Sequence, residues 1–348
     1  MNVLNPDQSA ESLISRANKV LPAGSFGNMP GDIVLERGKA GRVWDINGTE
    51  YVDFLLGSGP MFVGHAHPDV TKAITEQAPQ GTTFFANNQY GIKLAEEICK
   101  AMACADQLRF VSSGSEATLY AMRLARAYRK RDKILKFEGG YHGMSDYSLM
   151  SLAPTRLANY PQALPDSAGI PKQVSNEVII APFNDIETVK SLINEYHDEL
   201  GGVIVEPFQR LIPPAPGFLE MLREITLKHE IPLIFDEIVT GFRFSYGGAQ
   251  DYYGVTPDLC TLGKIIGGGF PVAAVCGQKE IMKHFDKALV GEENFLPQIG
   301  TLSGNPLASV AGLTTLNILK PASSYQKVFE LSLIHISEPT RQAEMSYA

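Results

Sequence analysis

Lys264 stands in Thr261-Leu262-Gly263-Lys264-Ile265-Ile266-Gly267-Gly268-Gly269, between an apolar run and three glycines that put no long side chain beside it. Upstream, the apolar run Pro232-Leu233-Ile234-Phe235 ends in two acids, Asp236 and Glu237. A lone lysine is ordinarily a solvated surface group. Set against apolar or cationic neighbours it loses hydration, its pKa falls, and it can act as a nucleophile and then as a proton carrier. An acid at the tip of a buried strand holds its charge in a low-dielectric crevice, where it can keep a neighbouring base protonated. The pleat sends adjacent residues to opposite sides, so one of Asp236 and Glu237 faces a ligand and the other faces a helix or a subunit contact. An acid pair could also hold a metal, but the downstream lysine turns the reading toward amine chemistry.

Three other stretches carry polar groups where apolar runs end. Ser112-Ser113-Gly114-Ser115-Glu116-Ala117 opens a helix after a strand. It reads either as an anion cradle of backbone N–H groups and the Ser113 and Ser115 hydroxyls, or as a plain helix cap. The chain has neither G-x-x-x-x-G-K-[ST] nor G-x-G-x-x-G, so one small phosphate suits the cradle better than a nucleotide does. Gly139-Gly140-Tyr141-His142-Gly143 can lay an aromatic side chain over a planar ring, or it can be a simple glycine-rich turn. Glu206-Pro207 ends another buried run, where the acid serves a structural hydrogen bond or an active-site contact. An amine, a held carboxylate and a small phosphate cradle are together what pyridoxal 5'-phosphate needs.

These residues need strands and helices to position them. Short apolar runs at 108–112, 134–138, 178–181, 203–206, 232–236, 258–262 and 272–276 read as strands, and 115–130, 185–198 and 217–229 as amphipathic helices between them. Strands apolar throughout belong in a sheet covered on both faces, and alternation with helices makes that sheet mostly parallel, with ligands beyond the strands' C-terminal ends. The expected fold is therefore α/β, a mostly parallel seven-stranded sheet with helices on both faces. Before it, 9–20 reads as a short helix. Arg42–Ile46 and Glu50–Phe54 read as a hairpin closed by a type I′ turn at Asn47-Gly48. After it, 307–319 reads as a helix. From about Leu331 the text continues no earlier pattern, and it is expected to be extraneous, in the manner of an adapter read-through, with a naturally disordered tail as the alternative.

Over 348 residues the net charge of -8 argues against a nucleic-acid or anionic-membrane partner. Cys99, Cys104, Cys260 and Cys276 form no C-x-x-C pair and read as small core residues. No metal is expected, because the seven histidines lack ligand spacing and the pair His65 and His67 lacks a partner motif. No stretch approaches a membrane span, and the N-terminus lacks a secretory pattern, so a cytoplasmic enzyme is expected.

The order of these stations resembles the class III aminotransferases of pyridoxal-phosphate fold type I, and within them the glutamate-1-semialdehyde 2,1-aminomutase branch. The matching text includes Gly64-His65-Ala66-His67-Pro68, Ser113-Gly114-Ser115-Glu116-Ala117-Thr118, Lys136-Phe137-Glu138-Gly139 and Tyr141-His142-Gly143. It continues through Asp236-Glu237 with Thr240-Gly241-Phe242-Arg243, the Lys264 run and Gly300-Thr301-Leu302-Ser303-Gly304-Asn305-Pro306. The resemblance implies that Lys264 joins the cofactor's aldehyde and that Asp236 pairs with its ring nitrogen. It puts Tyr141 and Ile238 on opposite ring faces, Ser113, Gly114 and Ser115 on the phosphate, and His142 and Glu206 in the cofactor's surroundings. It also implies a homodimer in which Thr301 reaches the phosphate of the neighbouring subunit.

Domains follow on the same basis: an N-terminal helix and ribbon at 1–60, a large cofactor domain at 61–315, the start of a truncated small domain at 316–330, and the tail at 331–348. The chain departs from the aminomutase branch at Gly24–Pro30, which lacks that branch's carboxylate-binding arginine. It also departs at Ser58, where a tryptophan is usual, at Phe84–Asn88 and at Phe208-Gln209-Arg210. Three functions are therefore expected in order: aminomutase-like amino transfer, a β- or ω-amino acid:2-oxo acid transaminase, or an incomplete fragment that at most binds the cofactor.

Overall fold

The structure, a computed structural model, describes residues 9–153 and 159–337. In chain order it begins with α1 (Ala10–Val20), β1 (Leu35–Lys39), β2 (Arg42–Asp45) and β3 (Glu50–Val52). Next come α2 (Pro68–Gln77), α3 (Gln89–Ala101), β4 (Gln107–Val111), α4 (Gly114–Arg129) and β5 (Lys133–Phe137). They are followed by β6 (Val178–Ala181), α5 (Ile186–Tyr196), β7 (Leu200–Val205), α6 (Phe218–Lys228) and β8 (Leu233–Glu237). The chain continues through α7 (Gly248–Tyr253), β9 (Leu259–Leu262), β10 (Ala273–Gly277) and two short turns, α8 (Lys279–Met282) and α9 (Lys287–Val290). It closes with α10 (Pro306–Leu319) and α11 (Ala322–Ser337).

All seven expected strands join one sheet in the order β4-β10-β9-β8-β7-β5-β6. Strands β6, β5, β7, β8 and β9 pair in parallel, and β10 alone runs against its neighbours β9 and β4. Every residue of β6, β7 and β8 is buried, as a sheet covered on both faces requires. Helix α4 buries Ala117, Ala121, Leu124 and Ala125, and crosses β7 closely: a Cβ placed on Gly202 would lie 2.9 Å from that of Ala125. With β10 the only reversed strand, β4, β5, β7, β8 and β9 all end on one edge, which is where the sequence places its polar stations.

The N-terminal ribbon corrects two expectations. The hairpin pairs β2 with β3, with Trp44 opposite Glu50, but it is not closed by a type I′ turn. Only Gly48 has positive φ there (+85°), while the Asp45 carboxylate accepts from the N–H groups of Asn47 (3.0 Å) and Thr49 (2.8 Å), and a type I′ turn needs positive φ at both central residues. The ribbon also has a third strand, β1, paired to β2 with an irregularity between Leu35 and Arg37. Its sequence Leu-Glu-Arg-Gly-Lys is polar and mostly exposed, so it carries no apolar signal.

At the other end, Asn305 caps α10 through Ala308 N–H (2.9 Å) with Pro306 in the first turn. Helix α11 then runs without interruption across positions 330 and 331 to Ser337. The remainder of the expected tail, 338–348, lies outside the described residues.

Candidate active site

Lys264 follows β9 directly. Gly263 is extended and Lys264 itself takes positive φ (+46°), opening a single tight turn over residues 264–267. The side chain is part-buried, and its amine makes no hydrogen bond or ion pair among the described residues. Burial, followed by the nearby Arg243 guanidinium, pulls its pKa below the ordinary lysine value, while Asp236 and Glu206 oppose the shift. At neutral pH more of this amine is a free base than on a surface lysine.

Asp236, at the end of β8, is 4% exposed and fully engaged. Its Oδ2 lies 2.8 Å from His142 Nδ1, and its Oδ1 accepts from Thr261 Oγ1 (3.0 Å) and Ile238 N–H (3.1 Å). Burial lowers the His142 pKa and the Asp236 contact opposes that shift. Glu237 points the other way, as the pleat demands. It accepts from Ala249 N–H (2.5 Å) and Gln250 Nε2 (3.0 Å) at the start of α7, and from Thr240 Oγ1 (3.2 Å) in the turn after β8. Of the two acids, Asp236 belongs to the site and Glu237 to the scaffold.

The N-terminus of α4 is both a cap and a cradle, so the two readings of Ser113–Glu116 are compatible. Ser113 Oγ accepts from Glu116 N–H, and Glu116 Oε2 accepts from the N–H groups of Ser112 (2.7 Å) and Ser113 (2.9 Å), a reciprocal capping box. The N–H groups of Gly114 and Ser115 have no acceptor among the described residues and are free for an anion at the positive end of the helix. Gly114 lies under Ile238, where a Cβ would come within 3.2 Å of the isoleucine methyls. Ser115 Oγ accepts from Met144 N–H (3.1 Å), and Thr118 Oγ1 donates to His142 O (2.6 Å), which fastens the 139–144 turn to the same helix end.

Tyr141 is 39% exposed, with its N–H donating to Glu206 Oε2 (2.9 Å) and the Arg210 guanidinium 5.3 Å from its ring centre. Burial, assisted by Asp236, pushes the Glu206 carboxyl up to about 7. Lys264, Asp236, His142, Glu206, Tyr141, Ile238 and Ser113–Ser115 thus gather at one sheet edge. Thr301 does not join them; it is exposed in the 300–304 turn. A free amine, an anchored carboxylate and a helix-end cradle suit a planar aldehyde with a single phosphate.

Residues 25–342 match the family described as Aminotransferase class-III. The chain belongs to that family. It is 44% identical over 339 residues to a Brevibacillus brevis protein named glutamate-1-semialdehyde 2,1-aminomutase 2, an alignment spanning 94% of this chain and 77% of the relative. The crystal structure of an omega-transaminase from Sphaerobacter thermophilus matches with a TM-score of 0.84 at 40% identity, covering 91% of this chain and 74% of that one. A structure described as a transaminase with PLP bound matches with a TM-score of 0.87 at 29% identity, covering 97% and 80%.

Some residues of this class III aminotransferase site were not picked out by sequence reasoning. Thr261 reaches Asp236 because β8 and β9 pair with those two residues opposite each other. That register cannot be read from either strand alone. Lys136 left a visible signal, a lysine inside the apolar Ile-Leu-Lys-Phe run. It is 2% exposed, donates to the carbonyls of Ser148 (2.9 Å) and Met150 (2.5 Å), and burial lowers its pKa to about 8. Among the described residues no group of three or more His, Cys, Asp or Glu is placed to hold a metal, and no helix is long and apolar enough to cross a membrane.

Proposed function

We propose that this class III aminotransferase works with pyridoxal 5'-phosphate, with Lys264 as its reacting amine, and rearranges glutamate-1-semialdehyde to 5-aminolevulinate within one molecule. The observation that carries the chemistry is the Lys264 amine: part-buried, unpaired among the described residues, and held below the ordinary lysine range. The 44% identity to a named aminomutase supports the substrate.

Ser113, Gly114 and Ser115 would hold the phosphate with the free N–H groups of α4. Tyr141 and Ile238 would cover the ring. Asp236 would keep the ring nitrogen protonated, and His142 and Thr261 hold that carboxylate in place. Glu206 fixes the Tyr141 backbone. When bound, the cofactor would supply an electron sink for a substrate carbon that loses a proton. Lys264 Nζ accepts that proton and returns it at a second carbon, which its depressed pKa allows near neutral pH. Thr301 of a second copy completes the phosphate site, making the working unit a homodimer. The cytoplasm is its compartment, a reading supported by four cysteines that are all free thiols.

A second reading, a β- or ω-amino acid transaminase, is favoured by residues 24–30. They hold no arginine, and there Phe26 is 87% and Met29 59% exposed. The protein supplied with cofactor is tested on glutamate-1-semialdehyde alone and on a panel of β- and ω-amines with pyruvate. Turnover of the first without an added oxo acid supports the aminomutase. Turnover only in the second assay moves the assignment to the transaminase. A protein that binds cofactor but turns over neither is the incomplete fragment.

A further inference from the structure

We propose that Arg243 is a positioning residue that clamps the loop 54–62 to the segment after β8, which holds Gly59 beside the Lys264 side chain. The inference rests on the reading of Lys264 as the reacting amine. Leu56, Gly57, Ser58 and Gly59 all have positive φ (+52°, +66°, +67° and +104°), and two of them carry side chains that disfavour it. Such a run persists only where its surroundings hold it. Its start is fastened by Asp53, whose Oδ1 accepts from Leu55 N–H (2.8 Å) and Leu56 N–H (2.9 Å) and whose Oδ2 lies 2.6 Å from His65 Nε2.

Its end is fastened by Arg243. Nη2 donates to Gly59 O (2.5 Å), Nε donates to Val239 O (2.7 Å), and the guanidinium sits 5.0 Å from the Phe62 ring centre. One planar fork thus ties the loop to the segment that follows Asp236 and Glu237. Gly59 lies between the clamp and the reacting residue: a Cβ there would be 3.0 Å from Arg243 Nη2 and 3.4 Å from Lys264 Cδ. Arg243 makes no ion pair among the described residues, so its charge acts on Lys264 undiminished by a partner. The other charged groups bearing on Lys264 are Asp236 and Glu206. The fork sets where the loop and the lysine stem lie, and the charge favours the free amine.

The two contributions separate by substitution in the cofactor-free full chain. Arg243→Met removes both, and Arg243→Lys keeps the charge but loses the fork. Hydrogen exchange of the 54–62 amides is expected to quicken about tenfold in both variants. Modification of Lys264 by trinitrobenzenesulfonate, followed against pH, is expected to shift its midpoint upward by about one pH unit in Arg243→Met alone. Unchanged exchange and an unchanged midpoint in a folded Arg243→Met protein overturn the proposal. If that variant does not fold, unchanged loop exchange in Arg243→Lys overturns it. Neither readout uses turnover, so loss of the Lys264 reading, seen as wild-type activity in Lys264→Ala, is distinguishable from loss of the clamp.

Discussion

Burial lifts the Glu206 carboxyl to about 7 from its ordinary 4.5, so between those values the folded chain keeps a proton that the unfolded chain has released. Stability from this group is therefore present at low pH and falls as pH rises through 7. Glu206→Gln keeps an acceptor for Tyr141 N–H and removes the titration. In cofactor-free protein the variant is expected to be more stable than wild type by no more than about 3 kcal/mol near pH 8, with the difference shrinking toward pH 4 in urea unfolding. Equal differences at both pH values would contradict the assignment. Lys264→Ala is expected to lower turnover on the order of a thousandfold or more while leaving the melting temperature of the cofactor-free protein nearly unchanged. At this scale the sequence was legible where a residue type conflicted with its surroundings: a lysine before three glycines, or acids closing apolar runs. Arg243 shows the limit. It reads as one more polar residue after a turn until Gly59, 184 positions away, is seen against it.

The elements show how one local device serves two purposes. The Glu116 carboxylate occupies the N–H groups of Ser112 and Ser113, which leaves those of Gly114 and Ser115 free for an anion. Glu116→Ala is expected to cost about 1 kcal/mol in urea unfolding and to weaken phosphate-dependent cofactor binding, measured by equilibrium dialysis. Gly114→Val is expected to leave the fold standing but to force Ile238 out of place, raising the cofactor's dissociation constant; tight binding in a folded variant would refute the cradle. Helices α2 and α3 were passed over, but α1, α4, α5, α6, α10 and the sheet strands were read to within a few residues because their signals repeat over short range. Strand β1 and the 45–49 turn were not, since one lacks apolar residues and the other is decided by a single Asp45 side chain.

For the whole molecule, the apolar residues left uncovered are the informative ones. Phe85 and Ile299 are 69% and 80% exposed and line one cleft beside β4, an edge strand of the large sheet. Exposed apolar groups gathered at an edge mark an interaction face, and a second copy of this chain is the occupant that the Thr301 reading requires. Phe85→Asp is expected to convert the protein to monomer in sedimentation and to weaken cofactor binding with it; a monomeric wild type would remove the shared site. Neighbours along the chain are enough to point to amine chemistry and to mark out the strands of the sheet. A lysine before three glycines, acids closing apolar runs and seven short apolar strands each announce themselves through neighbours in the chain. Which side chains brace them emerges from the folded chain alone: Thr261 on Asp236, His142 on its other oxygen, Arg243 across Gly59. Those contacts join segments far apart in sequence, and their geometry follows from strand register and packing, which no local pattern encodes.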